Sequence, residues 1–323
     1  MERAVTVACV QAEPAILDRE RTLDRLEHLA AEAAGNGAEL VVFPETFVAV
    51  YPSSRWAKAL AGWQNEAAKE TFARIALNAV AVGSPAERRL GAAAKELGIW
   101  LVTGVNEVDA ERSGTIYNAL LYHAPDGSLA LHHRKLVPTN HERLVWGQGD
   151  GRGLGAVQAE FARVGGLICW ENYMPLARFA VYESGVEIYI ASTADDADEW
   201  QATLVHIARE SRAYVVAPCH FQRASSYPDD FPLTAELDGD ELVGRGGSAI
   251  LAPVGSYLAG PLWDEEGILY ADLEPTLLHA ARQRFDPAGH YHRPDVLRLG
   301  VSAEARAADG TPSTRPSGRS DRP

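Results

Sequence analysis

Cysteine is scarce in this chain. Cys9, Cys169 and Cys219 are the only three in 323 residues, too few and too widely spaced for a disulfide framework or a metal-ligating cluster. Positive charge is also in short supply: 30 Lys and Arg against 44 Asp and Glu give a net charge of −14. That balance argues against a nucleic acid or an anionic bilayer as partner, since either needs a concentrated cationic surface. No apolar run approaches the roughly 20 residues of a membrane-spanning helix. Met1-Glu2-Arg3-Ala4 passes straight into strand-like sequence with no leader pattern. The expected compartment is therefore a reducing one, the cytoplasm, and small neutral molecules remain as ligands.

Hydrophobic residues make up 46% of the chain, enough for one large core, and the expected organisation is a single domain over residues 1–300. Strand and helix patterns alternate along it, which favours a layered α/β fold. Residues 5–11 read as a first strand. Asp18 can cap a helix that carries Leu23, Leu26, Leu29, Ala30 and Ala33 on one face and stops near Gly35 and Gly37. Further helices are expected over 66–78, 86–97, 175–184, 199–212 and 274–284. Strands are expected over 99–104, 117–122, 187–191, 213–219, 249–252, 257–258 and 268–273, with a turn at Pro125-Asp126-Gly127. The pattern does not fix strand order. Residues 301–323 hold almost no large apolar side chains and are expected to form a disordered tail. Residues 224–247 form a long loop of the kind that serves as a lid or an interface element.

The chemistry concentrates at three strand ends. Val164, Leu167 and Ile168 are strand-like, and Pro175 opens the helix that follows, so Cys169 lies on a strand-to-helix turn. Backbone N–H groups and a helix dipole at such a turn are expected to favour the thiolate, the nucleophilic form. The apolar strand 40–43 stops at Pro44 and leaves Glu45 just past its end, while Leu131 to Arg134 lead to Lys135, with Glu142 seven residues later. Strand ends in an open α/β sheet converge on one crevice, so a carboxylate, an amine and a thiol there form one reactive set. Taken singly, each has an ordinary reading as a cap, a surface lysine, a surface ion pair with Arg143 or a small buried thiol. Taken jointly, catalysis is favoured.

These segments resemble a known family. Phe43-Pro44-Glu45, Arg134-Lys135-Leu136-Val137-Pro138-Thr139 with Glu142-Arg143, and Cys169-Trp170-Glu171-Asn172 are similar to the signature segments of the nitrilase superfamily of carbon–nitrogen hydrolases, over about residues 4–300. The Cys-Trp-Glu triplet, the Pro-Thr-x-x-Glu-Arg run and Gly289-His290-Tyr291-His292-Arg293-Pro294-Asp295 resemble the true nitrilase branch. The resemblance implies an α-β-β-α sandwich in which two sheets face each other, with a homodimer extending the layers and higher homo-oligomers, spirals or filaments built from it. It also implies that residues 224–247 lie beyond the sheet as an interface or assembly loop, and that His290 approaches the site.

A nitrile carbon is a weak electrophile, so its hydrolysis needs a strong nucleophile, a proton source for nitrogen and an activated water. Cys169 is the expected nucleophile and Glu45 the general base. Lys135, helped by the backbone N–H of Trp170, would stabilise the tetrahedral species, and the resemblance gives Glu142 the task of holding or protonating the reacting groups. No metal or cofactor is required. Loss of ammonia leaves a thioester and then an acid, whereas loss of the thiol leaves an amide. Trp146, Tyr173, Thr193, Trp200 and Tyr51 are candidates to line a pocket for an apolar nitrile, as is Trp170. The run after the cysteine resembles broad-range nitrilases and points to aliphatic and mixed substrates. An amidase or carbamoylase, or a cyanide hydratase, of the same superfamily is the alternative within enzymes. A non-catalytic binding protein that keeps the fold is the alternative outside them.

Overall fold

The computed structural model describes residues 1–237 and 241–302. Elements are numbered in chain order. One sheet has six strands: β1 (Val5–Gln11), β2 (Leu40–Val42), β3 (Trp100–Val108), β4 (Ile116–His123), β5 (Leu129–Arg134) and β13 (Gly267–Leu273), in the order β13-β1-β2-β3-β4-β5. The other holds β6 (Ala156–Gln158), β7 (Arg163–Gly166), β8 (Ile188–Ile190), β9 (Tyr214–Ala217), β10 (Phe221–Arg223) and β11 (Leu242–Leu251), in the order β10-β11-β9-β8-β7-β6, with β12 (Tyr257–Trp263) paired to β11. The helices are α1 (Arg19–Gly35), α2 (Ser54–Ala57), α3 (Glu66–Asn78), α4 (Pro85–Leu97), α5 (Pro175–Glu183), α6 (Asp198–Ser211) and α7 (Pro275–Arg284).

Local chemistry sets the helix ends. The Asp18 carboxylate accepts from the Arg21 N–H at 3.0 Å to start α1. Ser84 caps α4 ahead of Pro85, and Gly98, in the left-handed region at φ 65°, ends it. Packing then makes the layers. Val7, Cys9, Val42, Val102 and Tyr122 of the first sheet meet Val164, Ile188, Ile190, Val216 and Ile250 of the second in a buried layer between the sheets. Leu23, Leu26, Leu90 and Ala94 bury α1 and α4 on the outer face of the first sheet. Val181, Trp200, Leu204 and Ile207 do the same for α5 and α6 on the second. Fully burying a Val, Leu or Ile contributes about 1.5–3 kcal/mol, against about 1 kcal/mol for a cap, so the layers rather than the caps dominate the stabilisation. This is the α-β-β-α sandwich. No helix among the described residues is long and apolar enough to cross a membrane.

Strand direction aims the reactive residues at one edge. β1, β2 and β3 are parallel. β4 is antiparallel to β3 and β5 to β4, so β5 runs with β2, and Glu45 and Lys135 leave the first sheet at the same edge. β7, β8 and β9 are parallel too, and Cys169, Thr193 and His220 follow their carboxyl ends.

Two expectations change. β3 continues through Gly104 to Val108, because this glycine marks a close approach rather than a strand end: a Cβ there would lie 2.1 Å from the Pro44 carbonyl oxygen, in the chain that carries Glu45. Residues 242–247 are not loop but the start of β11, with Gly246 and Gly247 at φ 87° and 116° where the register to β12 shifts. Residues 224–237 stay off the strands, and Tyr227, Phe231 and Leu233 pack on Trp56 in a satellite cluster beside the reactive edge. The three-residue strands β6 and β10 were too short to show alternation. Residues 303–323, most of the expected tail, lie outside the described residues, and Val301 and Ser302 are exposed.

Candidate active site

The four residues meet. An oxygen of Glu45, an oxygen of Glu142 and Cys169 Sγ lie within 4.8 Å of one another, all buried. Lys135 Nζ donates to Glu45 Oε1 at 2.8 Å and to both oxygens of Glu142, at 3.0 and 2.8 Å. A metal ion fits this donor set poorly, because the lysine ammonium already sits between the two carboxylates. Burial works against the charge of Lys135, but Glu45 and the other negative neighbours outweigh it and hold the ammonium above its ordinary range.

The carboxylates differ in their remaining partners. Glu142 Oε1 also accepts from Tyr51 Oη at 2.9 Å, and Oε2 from the Thr139 N–H at 2.6 Å, so both oxygens are fully engaged. Burial raises the Glu142 carboxyl above the usual range although Lys135 opposes it. Glu45 Oε1 accepts from Asn118 Nδ2 at 2.6 Å, whereas its Oε2 is buried without a hydrogen-bond partner among the described residues. A buried carboxylate that has one oxygen without a partner and stands within 4.8 Å of a thiol sulfur is positioned to receive a proton.

Cys169 opens a short 3-10 turn, Cys169–Tyr173, at φ 52°, the left-handed region that a non-glycine residue enters only at a cost of about 1–2 kcal/mol. The strain is held by three hydrogen bonds. The Cys169 N–H donates to the Ser192 carbonyl at 2.9 Å, and Asn172 Nδ2 to the carbonyls of Cys169 and Leu167 at 2.9 and 3.2 Å. Thr193 Oγ1 donates to the sulfur at 3.1 Å. The expected thiolate is not the resting form: burial, followed by the charge of Glu45, pushes the thiol well above its ordinary value of 9.0, with Lys135 opposing. Desolvation outweighs a helix start this short, and the Cys169 N–H is already donated. Trp170 lies in the first turn, where a backbone N–H has no acceptor within the helix.

The cavity over Cys169 has a volume of about 380 Å³ and is lined by Tyr51, His141, Glu142, Trp170, Asp195, His220, Gln222 and Val243 among others. Two wider grooves, about 760 Å³ each, lie elsewhere, near Glu13 and Asp229 and near Leu77 and Pro85, and contain no cysteine or lysine. Of the pocket candidates, Tyr51 and Trp170 line the cavity, the latter donating from Nε1 to Asp195 Oδ2 at 2.7 Å. Thr193 sits at the sulfur. Trp146 does not line the cavity: it is buried behind Lys135, its ring centroid 5.8 Å from Nζ and its Nε1 donating to Asn106 Oδ1 at 2.7 Å. Tyr173 is outside it, exposed, with its hydroxyl 2.7 Å from Thr203 Oγ1. Trp200 is buried under Tyr173 on α6. His290 does not approach the site within this chain, where it is exposed against Tyr291.

Sequence reasoning missed Asn118 and two pocket histidines. His220 Nε2 donates to the Glu45 carbonyl oxygen, and burial lowers its pKa to about 4, because a second proton on Nδ1 would be buried without a partner. Burial lowers that of His141 as well. The signal available for His220 was its position just past β9, the same rule that found Cys169.

The family model described as carbon-nitrogen hydrolase matches residues 6–283. An aliphatic nitrilase of Sinorhizobium fredii (strain HH103) is 42% identical over 301 residues, 93% of this chain and 96% of that protein. A bifunctional nitrilase/nitrile hydratase of Nicotiana tabacum is 40% identical, over 93% of this chain and 87% of its own length. Among solved structures, Nit3 of Saccharomyces cerevisiae, a member of branch 10 of the nitrilase superfamily, superposes with a TM-score of 0.69 at 21% identity, covering 90% of this chain and 97% of that one, a likeness of fold.

Proposed function

The chain belongs to the carbon–nitrogen hydrolase family, in its nitrilase branch, and from that premise we propose that it hydrolyses an organic nitrile to the carboxylic acid and ammonia. The observation that carries the reading is the buried Glu45 carboxylate, with one oxygen within 4.8 Å of the Cys169 sulfur and its Oε2 without a hydrogen-bond partner. The thiol proton passes to Glu45 as sulfur bonds to the nitrile carbon, and Glu45 hands that proton on to the nitrile nitrogen, which gives the thioimidate and returns Glu45 to its charged form. Lys135, fixed by Glu142, stabilises the charge that develops on nitrogen and then on oxygen. Glu45 next takes a proton from water as the water oxygen bonds to the thioimidate carbon. Cleavage of the C–N bond expels ammonia and leaves a thioester, which a second water opens to the acid and the free thiol. Cleavage of the C–S bond at the same tetrahedral stage releases an amide instead, and a relative that bears both activities in its name supports a minor amide product.

Aliphatic and mixed-range nitriles are the favoured substrates, supported by a cavity near 380 Å³ and by the aliphatic nitrilase among the relatives. A homodimer or larger homo-oligomer is supported by Trp170, Tyr173 and Leu176, which are 50%, 46% and 70% exposed on one flank of the cysteine turn. A cytoplasmic location is supported by three free, buried cysteines. The test is ammonia release from nitriles, each paired with its own amide, together with cyanide, using Cys169→Ala as control. Turnover of nitrile above amide, abolished in Cys169→Ala, is the expected result. Turnover of amide alone would move the protein to the amidase branch, and release of formamide from cyanide would make it a cyanide hydratase.

A further inference from the structure

One buried carboxylate touches the chain beside both Lys135 and Cys169 without facing the cavity. Glu171 Oε2 accepts from the N–H of Ile168, the residue before the cysteine, at 3.0 Å. Its Oε1 accepts from the N–H of Leu136, the residue after the lysine, at 2.8 Å. His133 Nε2, two residues before the lysine, lies 2.9 Å from Oε2, and both side chains are fully buried. Since a carboxylate can only accept there, Nε2 carries the proton. His133 and Leu136 flank the end of β5 in the first sheet, and Ile168 follows β7 in the second. Glu171 therefore ties the two sheets together at the two reactive residues.

Capping a helical turn requires only the bond to Ile168. The bonds to Leu136 and His133 reach the other sheet, and no capping role explains them. We propose that Glu171, braced by His133, is a positioning residue that sets the placement of Lys135 relative to Cys169. It rests on the reading that these two groups carry the reaction. Three N–H donors stabilise the charged carboxylate, and although burial works against that charge, His133 and the two backbone bonds hold the carboxyl below its usual range. In Glu171→Gln the amide nitrogen would have to face one of those N–H groups, so one of the two anchors is released. Misplacement on the order of 1 Å can cost about a hundredfold in rate.

The experiment measures kcat and KM for nitrile hydrolysis in Glu171→Gln, His133→Leu and His133→Gln, the last of which keeps an N–H donor near the position of Nε2. The expected result is a fall in kcat of about 10–100-fold in Glu171→Gln with KM within about threefold, and a kcat in His133→Gln at least about fivefold above that of His133→Leu. A kcat for Glu171→Gln within about twofold of the parent, or equal impairment of the two His133 variants, would overturn it. A second readout needs no nitrile turnover: the rate of Cys169 alkylation by iodoacetamide in Glu171→Gln, Lys135→Met and the double variant. If Glu171 acts on the relation between the two residues, the effects are non-multiplicative by about fivefold or more, and simple multiplication would contradict the proposal. Should Lys135→Met fail to fold, Lys135→Arg takes its place. A parent protein inactive on every nitrile would refute the nitrilase reading, and the alkylation cycle would still decide the role of Glu171.

Discussion

The turn after β2 and the turn after β5 each deliver a glutamate to Lys135, yet the two carboxylates are held differently. Glu142 spends both oxygens on Lys135, Tyr51 and the Thr139 N–H. Glu45 spends one oxygen on Lys135 and Asn118 and keeps the other open. A fully satisfied carboxylate has little freedom to take and return protons, whereas one with an open oxygen can do so without breaking existing bonds. From this difference we propose that Glu142 holds and Glu45 transfers protons, two tasks for one residue type set by surroundings alone.

Removing the cation that both share should have the largest effect. Lys135→Met leaves two buried carboxylates without their counter-ion, so we expect loss of nitrile turnover and a destabilisation of about 3–5 kcal/mol near pH 8 in urea unfolding. Unpaired buried carboxylates bind protons more tightly in the folded state than in the unfolded one, so stability should recover as the pH falls toward 5. Unchanged stability at pH 8 would show that water reaches the pair.

Glu142→Gln sharpens the contrast from the holding side. The amide can still accept from Lys135 but cannot also accept from the Thr139 N–H through its nitrogen, so kcat should fall about 10–100-fold with little change in KM. A loss as deep as that of Cys169→Ala would move Glu142 into the proton-transfer role.

A smaller effect concerns the backbone behind Glu45. His220 donates to the Glu45 carbonyl and titrates near 4 rather than 6.5. The unfolded chain binds that proton first, so this contribution to stability is present above pH 6.5 and is lost as the pH falls toward 4, by about 3 kcal/mol at most. His220→Gln, which keeps the donor, should flatten the acid limb of the stability curve. An unchanged limb would mean that other groups govern it.

Much of this was legible in the chain. Val5–Gln11 and Glu66–Asn78 match their expected bounds because an apolar run and a helical stripe are local signals. Glu45 and Cys169 were legible because each sits at the end of an apolar run, and Lys135 because it ends a strand-like segment; residues so placed converge once the strands are parallel. Partners set by strand order and loop packing were not legible: Asn118 lies 73 residues from Glu45 and His220 lies 175 from it. Neither spacing carries a sequence signal. Trp146 and Tyr173 were expected in the pocket because they neighbour its motifs, but nearness in sequence does not say which way a ring faces, and one packs behind the lysine while the other turns outward. The brace made by Glu171 was hidden inside a motif read for its cysteine.

The division between the two glutamates is tested most directly by the intact mass of acid-quenched Glu45→Gln and Glu142→Gln proteins after brief exposure to a turned-over nitrile. A covalent adduct on Cys169 is expected in Glu142→Gln and none in Glu45→Gln, because Glu45→Gln alone lacks an acceptor for the thiol proton. Adduct formation in Glu45→Gln at the rate of the parent would contradict it and return the proton to another base.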